Sequence, residues 1–239
     1  MYLQLLEKNK IVPNFWCSEE YFEKAGWEEI EDDLGIIRIQ DSEGINMLPS
    51  LPILPVIPYW ASLPFKERSQ EKFLDHNFIY DPKAFLNLSG GKWTVFRKNI
   101  KKFPVNKNLF YEELFGAQGG LEALSCWLNN RKADEVIHDD DVILKYVTDG
   151  KNKRFLFDND NIYGVNIWDE NYMFINYRYC FCQNIPFLSE YMRYRFYTDP
   201  EILNSGKKVN DGGSLDNPDL YKFKMRLNPE MVYNIYTTL

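Results

Sequence analysis

Histidine is nearly absent: His76 and His138 are the only two in 239 residues. Four cysteines, Cys17, Cys126, Cys180 and Cys182, complete a thin supply of soft ligands. No C-x-x-C pair and no Cys/His group has zinc spacing, so no metal site is expected. The cysteines read as reduced, mostly packed residues of a cytosolic protein. Long apolar runs are also missing. None approaches 18 residues, and no basic stretch with an apolar core begins the chain, so neither a membrane span nor a secretion signal is expected. Positive charge is short as well: 28 basic against 35 acidic residues give a net charge of −7. That balance argues against a surface coated for phosphate, though not against a local basic patch.

What is present suits one large domain or two small ones with a real core. Hydrophobic residues make up 45% and aromatics 16%, with Tyr and Phe dominant, which favours half-buried sheets. Ser18 is a candidate N-cap for a helix ending at Gly26, and residues 35–40 alternate as a strand. Five prolines in residues 49–64 predict an extended, packed connector. Residues 67–77 are predicted helical, with a short strand and a helical turn after them. From residue 92 to 111 there are six basic residues, Lys92, Arg97, Lys98, Lys101, Lys102 and Lys107, and no acidic one. Trp93, Phe96, Ile100 and Phe103 fall on one helical face there, and Lys98 and Lys102 on another. The stretch is either a solvated helix face or a contact for phosphate or carboxylate. Leu121, Leu124 and Leu128 predict a core stripe on the next helix, and residues 138–147 predict another, with aspartates at its start.

The last hundred residues are clearer. Residues 153–158, 162–169 and 171–182 predict three strands joined by turns, an antiparallel meander. A helix follows, then a short strand at 207–210. A second helix has Asn217 as N-cap and Pro218 in its first turn, and a last strand ends the pattern. The order βββ-α-β-α-β implies a parallel crossover between the third and fourth strands. Residues 209–224, VNDGGSLDNPDLYKFK, set two glycines and the carboxylates of Asp211, Asp216 and Asp219 at the corner after the fourth strand.

That order resembles the core of the GNAT acyltransferase fold. Two stretches, FIYDPKAFLNLSGGKWTVFRKNIKKF (78–103) and VNDGGSLDNPDLYKFKMRLNP (209–229), are similar to segments of the phosphatidylglycerol lysyltransferase C-terminal family. The resemblance implies an α/β (α+β) fold with a GNAT-like mixed sheet, arranged in tandem. Residues 1–132 would form a partial N-terminal half with the proline-rich connector, and residues 133–239 a fuller C-terminal half. It also implies transfer of an acyl or aminoacyl group, from acyl-coenzyme A or aminoacyl-tRNA, to an amine or hydroxyl acceptor. One feature departs from coenzyme A users, which carry a glycine-containing phosphate loop before the helix that follows the meander. Here Gln183 is present, but no glycine follows and Pro186 removes an amide donor.

Within this frame Asp211 is the expected general base and Asn210 its orienter. Gly212 and Gly213 permit a sharp turn and close approach of a ligand. Lys92, Arg97, Lys98 and Lys224 would hold the anionic part of donor or acceptor. Backbone N–H groups from Tyr179 onward would meet the oxyanion, with Gln183 beside the donor. Asp216 and Asp219 read first as helix-capping charge. Two other functions stay open: a binding protein on an inactive scaffold, and an enzyme that acylates bases of DNA or tRNA through the basic stretch.

Overall fold

The computed structural model describes residues 1–51, 71–103, 108–130, 140–214 and 217–238. Most of the proline-rich connector, together with Lys107, His138 and Asp216, lies outside them.

The chain opens with α1 (Tyr2–Lys8) and α2 (Glu19–Ala25). Ser18 caps α2 by accepting from the Tyr21 N–H, and Gly26 ends it in the left-handed region, as the sequence predicts. Strands β1 (Glu28–Glu31), β2 (Ile37–Gln40) and β3 (Asn46–Leu51) form a small antiparallel sheet. Ile37 and Ile39 of β2 point inward against α1.

Residues 71–80 form a ten-residue strand, β4 (Glu71–Tyr80), where a helix was predicted up to residue 77. The run EKFLDHN has helix formers at its start, but its tertiary partner decides. β4 pairs along its length with the last strand, β10 (Met231–Thr238), and that tertiary pairing overrides the local helix preference. A 3-10 turn at Pro82–Phe85 and another at Gly91–Trp93 lead into α3 (Thr94–Lys102). Trp93, Phe96 and Phe103 are buried there, while Lys98, Lys101 and Lys102 are exposed, so the two-faced reading holds.

Next come β5 (Phe110–Glu112), α4 (Gly116–Asn129) and α5 (Asp140–Asp149). On α4 the buried face is Gly119, Gly120, Ala123 and Leu124; Leu128 of the predicted stripe is exposed. The meander is β6 (Asn152–Phe157), β7 (Ile162–Glu170) and β8 (Phe174–Cys182). β7 extends one residue past the predicted 162–169 to Glu170, and the turn falls at Asn171, whose Oδ1 accepts from the N–H groups of Met173 and Phe174. Then follow α6 (Leu188–Tyr197), α7 (Pro200–Asn204), β9 (Lys208–Asn210) and α8 (Pro218–Arg226).

Seven strands form one mixed sheet in the order β10-β4-β9-β8-β7-β6-β5. It takes β4 and β5 from before residue 133 and the other five strands from after it. Among the described residues the single parallel pair is β8 with β9, the predicted crossover through α6. One face packs on α6 and α3 through Trp168, Ile175, Tyr177, Phe85, Phe96 and Phe196. The other packs on α4 and α5 through Phe155, Val165, Ile167, Phe181 and Tyr146.

Candidate functional site

β8 and β9 pair over three residues only, Phe174 with Lys208, Ile175 with Val209, and Asn176 with Asn210. Beyond them β8 runs on to Cys182. The chain after Asn210 instead stays with β4: the Asp211 N–H donates to the Phe78 carbonyl, and the Phe78 N–H donates to the Gly212 carbonyl. The two strands therefore fork, and the fork is lined by charge.

On the α6 face Asp211 is buried among two cations and two phenols. Arg193 Nε donates to Asp211 Oδ2 at 3.2 Å, and the Tyr197 hydroxyl donates to the same oxygen at 3.3 Å. Lys224 Nζ lies 3.2 Å from Oδ1 and also donates to the Asp211 backbone carbonyl. The Tyr80 hydroxyl donates to the Lys224 carbonyl at 2.8 Å and so ties α8 to β4. The Arg193 guanidinium stands between the rings of Tyr177 and Phe223, 5.3 and 4.9 Å from their centres. Burial lowers the proton affinity of Lys224, and the Asp211 charge offsets only part of that. Burial works against the Arg193 charge, but Asp211 together with Tyr177, Cys180 and Tyr197 more than offsets it and keeps the guanidinium protonated. Burial, then the Asp211 charge, raises Tyr80 and Tyr197, so both phenols stay hydrogen-bond donors.

The opposite face is polar as well. Asn210 Oδ1 accepts from the Gly212 N–H at 3.0 Å, which fixes the turn. Its Nδ2, and Oδ1 of its cross-strand neighbour Asn176, are buried with no hydrogen-bond partner among the described residues. Gly212 has φ +60° and lies against the Phe15 ring, so a side chain would be strained and crowded there. A Cβ on Gly213 would fall inside the Asp75 carboxylate, which accepts from the Ser214 N–H at 2.9 Å. The close approach these glycines permit is thus to Phe15 and Asp75.

The structure brings Asn210, Asp211, Gly212, Gly213 and Lys224 together. It sets the other candidates elsewhere. Arg97 donates to the carbonyls of Leu88 and Gly90 and fastens a loop. Lys98 is exposed on α3. Lys92 lines a surface cleft of about 410 Å³ with Asp81, Met225, Asn228 and Glu230. Tyr179 stacks on Phe181 and meets Tyr146 on the α5 face. Gln183 donates to the Ile162 carbonyl at 2.7 Å and closes the β7–β8 end. Asp219 is exposed, 3.6 Å from Lys222, and Asn217 is the cap of α8.

Arg193, Tyr197 and Tyr80 escaped sequence reasoning. A signal existed on α6: Arg193 and Tyr197 are four apart, beside the Leu188–Met192–Phe196 stripe, so one charge sits on the apolar flank. Arg195, two residues on, is half-buried and reaches the Tyr191 hydroxyl.

No family model matches the chain, and no curated protein matches it. Solved structures do. A conserved protein of unknown function from Bacteroides thetaiotaomicron VPI-5482 matches at 19% identity and TM-score 0.58, over 70% of this chain and 62% of that one. L-PGS from Bacillus licheniformis matches at 15% identity and TM-score 0.51, over 70% of this chain and 60% of that one. The chain thus spans about three-fifths of the length of each. A structure described as the C-terminal domain of a lysylphosphatidylglycerol synthetase from Agrobacterium fabrum matches at 11% identity and TM-score 0.57, over 98% of this chain and 89% of that one. At these identities the likeness is one of fold, and the fold is the mixed-sheet α+β class expected from the sequence.

Proposed function

We propose that this chain transfers an activated acyl or aminoacyl group to an amine or hydroxyl acceptor at the β8–β9 fork. The observation that carries the reading is one buried carboxylate, Asp211, facing two buried cations, Arg193 and Lys224. Asp75, buried beside Gly213, also acts on Lys224, so Arg193 is the cation with charge to offer a developing oxyanion. In this reading Asp211 and Lys224 handle the acceptor's proton together. The ammonium bonds to Asp211, and burial loosens its hold on its own proton. Arg193 is left to face the oxyanion. Asn210 presents its unengaged Nδ2 to a substrate carbonyl from the other face. Attack, proton transfer and collapse need these groups oriented and no covalent intermediate at Asp211.

The names of two solved structures of this fold point to an aminoacyl donor, as does the absence of glycine after Gln183. Among the described residues, no helix is long and apolar enough to cross a membrane. Lys98, Lys101 and Lys102 form the exposed basic edge for the phosphates of a donor tRNA. A second reading, a binding scaffold without activity, draws on Arg193 lying across the fork between Tyr177 and Phe223.

The test is a thermal-shift and mass-spectrometric screen against coenzyme A, acetyl-coenzyme A and a pool of aminoacyl-tRNAs. A ligand held by the native state raises the melting temperature by mass action. Stabilisation by charged tRNA with loss of its aminoacyl group supports the aminoacyl reading. Stabilisation by acetyl-coenzyme A moves the donor to an acyl thioester. No response to any of them favours the scaffold.

A further inference from the structure

We infer that Asn176 and Asn210, at the apex of the fork, form a subsite that reads the α-ammonium and the carbonyl of an aminoacyl group. The pair thereby selects aminoacyl over plain acyl donors. The inference rests on the transfer reading above and deepens it. The two asparagines are partners on the last rung of the β8–β9 ladder, where the strands part. Such partners share a face, and neighbouring strands run about 4.8 Å apart. Ile175, Tyr177 and Val209, beside them in the chain, pack on the α6 side, so both asparagines point to the opposite one.

Both side chains are fully buried, and their orientations are fixed. Asn176 Nδ2 donates to Asp169 Oδ1 at 2.9 Å, so turning that amide over would set its oxygen against a carboxylate. Asn210 Oδ1 accepts from the Gly212 N–H at 3.0 Å, so turning it over would set two donors together. One acceptor, Asn176 Oδ1, and one donor, Asn210 Nδ2, are left over. Neither has a hydrogen-bond partner among the described residues, so they do not bond each other. A buried polar atom without a partner is costly, and a ligand group that pairs with it removes the cost.

The group that fits offers a donor to Oδ1 and an acceptor to Nδ2. A plain acyl group has only the acceptor. An α-aminoacyl group has both, because its ammonium and its carbonyl sit on adjacent carbons. Charge on this face favours the ammonium. Ile79 pairs with Asn210, and alternation along β4 puts Asp75 on the same side, buried against Gly213. Arg178, also on this face, is engaged by Asp169, Ser18 and the Phe15 carbonyl. Asp211, next in the chain, turns to the α6 side with Arg193 and Lys224. Recognition of the head group and handling of the proton are thus one residue apart.

The probe is one pool of aminoacyl-tRNA, titrated onto the whole chain as charged and again after N-acetylation, which removes the ammonium charge and fills its place. We expect the free-amine pool to bind about tenfold tighter, the size of a hydrogen bond to a charged group. Asn176→Ala should bring that ratio near unity. Asn210→Ala should weaken both pools alike, because both carry the carbonyl. Each ratio is measured on one protein, so lost stability alone does not move it. Tyr146→Phe, which loosens the Asp169 network without touching Asn176, should keep the wild-type ratio. A ratio near unity in wild type, an unchanged ratio in Asn176→Ala, a lost ratio in Tyr146→Phe, or no binding of either pool would overturn the subsite and leave the two atoms to ordered water. A transfer assay separates the two ideas. If both pools are consumed at the same rate, the subsite falls and the transferase stands. If the free-amine pool is preferred in binding but no aminoacyl group moves, the subsite stands and the transferase reading falls.

Discussion

Two buried ion clusters sit on opposite faces of the same sheet, and they are built differently. The first joins Asp169 of β7 to Arg178 of β8. Asp169 Oδ2 accepts from Ser18 at 2.8 Å, from Arg178 Nε at 2.8 Å and from the Tyr146 hydroxyl. Its Oδ1 accepts from Asn176 at 2.9 Å and Arg178 Nη2 at 3.0 Å. Arg178 also donates to the Phe15 carbonyl and lies between the rings of Phe15 and Tyr21. The register of β7 with β8 skips Arg178, a β-bulge that aims it and Tyr179 to the same face. One anion meets one cation, and both carboxylate oxygens of Asp169 are engaged.

The Asp211 cluster pairs one carboxylate with two cations, and behind it Asn210 Nδ2 and Asn176 Oδ1 have no hydrogen-bond partner among the described residues. A closed network holds a fold together, whereas an open one has capacity left for a ligand. Ser18 illustrates the first kind: it caps α2 and bonds Asp169, so the N-terminal segment is fastened to the sheet by the same oxygen.

Four substitutions would break or sharpen this contrast. The largest effect is expected from Asp169→Asn, which strands Arg178 without a counter-charge and should cost about 3–5 kcal/mol in urea unfolding. Next is Asp211→Asn, with a loss of transfer rate of about 100-fold and a smaller loss of stability. Equal stability losses in the two variants, with transfer untouched in the second, would erase the distinction.

Lys224→Met tests the electrostatics through pH. The folded protein holds the Lys224 proton less tightly than the unfolded chain does. Between that lowered value and the ordinary 10.5, the unfolded state therefore binds more protons, so this group makes stability rise with pH. Wild type should gain on Lys224→Met as pH climbs toward 10.5, read as the difference between their urea midpoints. A constant difference would mean that Lys224 is not held at a cost. The smallest effect is expected from Asn217→Ala, about 1 kcal/mol by thermal melting. It removes the cap that starts α8, two turns before Lys224. A loss near zero would show α8 anchored through Tyr80 and Lys224 instead.

Much of the fold was legible because local rules carried it. The meander, the Ser18 and Asn217 caps, the basic outer face of α3 and the parallel crossover all follow from period, cap and turn chemistry. β4 was misread because its partner, β10, lies about 150 residues away, and pairing over that distance leaves no trace in a short window. The NDGG corner was legible as a place, not as an arrangement. Its glycines looked like room for a ligand, while Phe15 and the Asp75 carboxylate occupy the space beside them.

The sequence by itself determined which segments become strands and helices wherever the pattern was strong, and it marked Asn210, Asp211 and Lys224 as residues that belong together. Only the tertiary structure decided what they meet. Arg193 and Tyr197 come from α6, Tyr80 from β4, and Asn176 from β8, each brought to the fork by packing between elements far apart in the chain. A charge in a sequence has no environment. Burial and neighbours give it one, as they do for Lys224 in the fork.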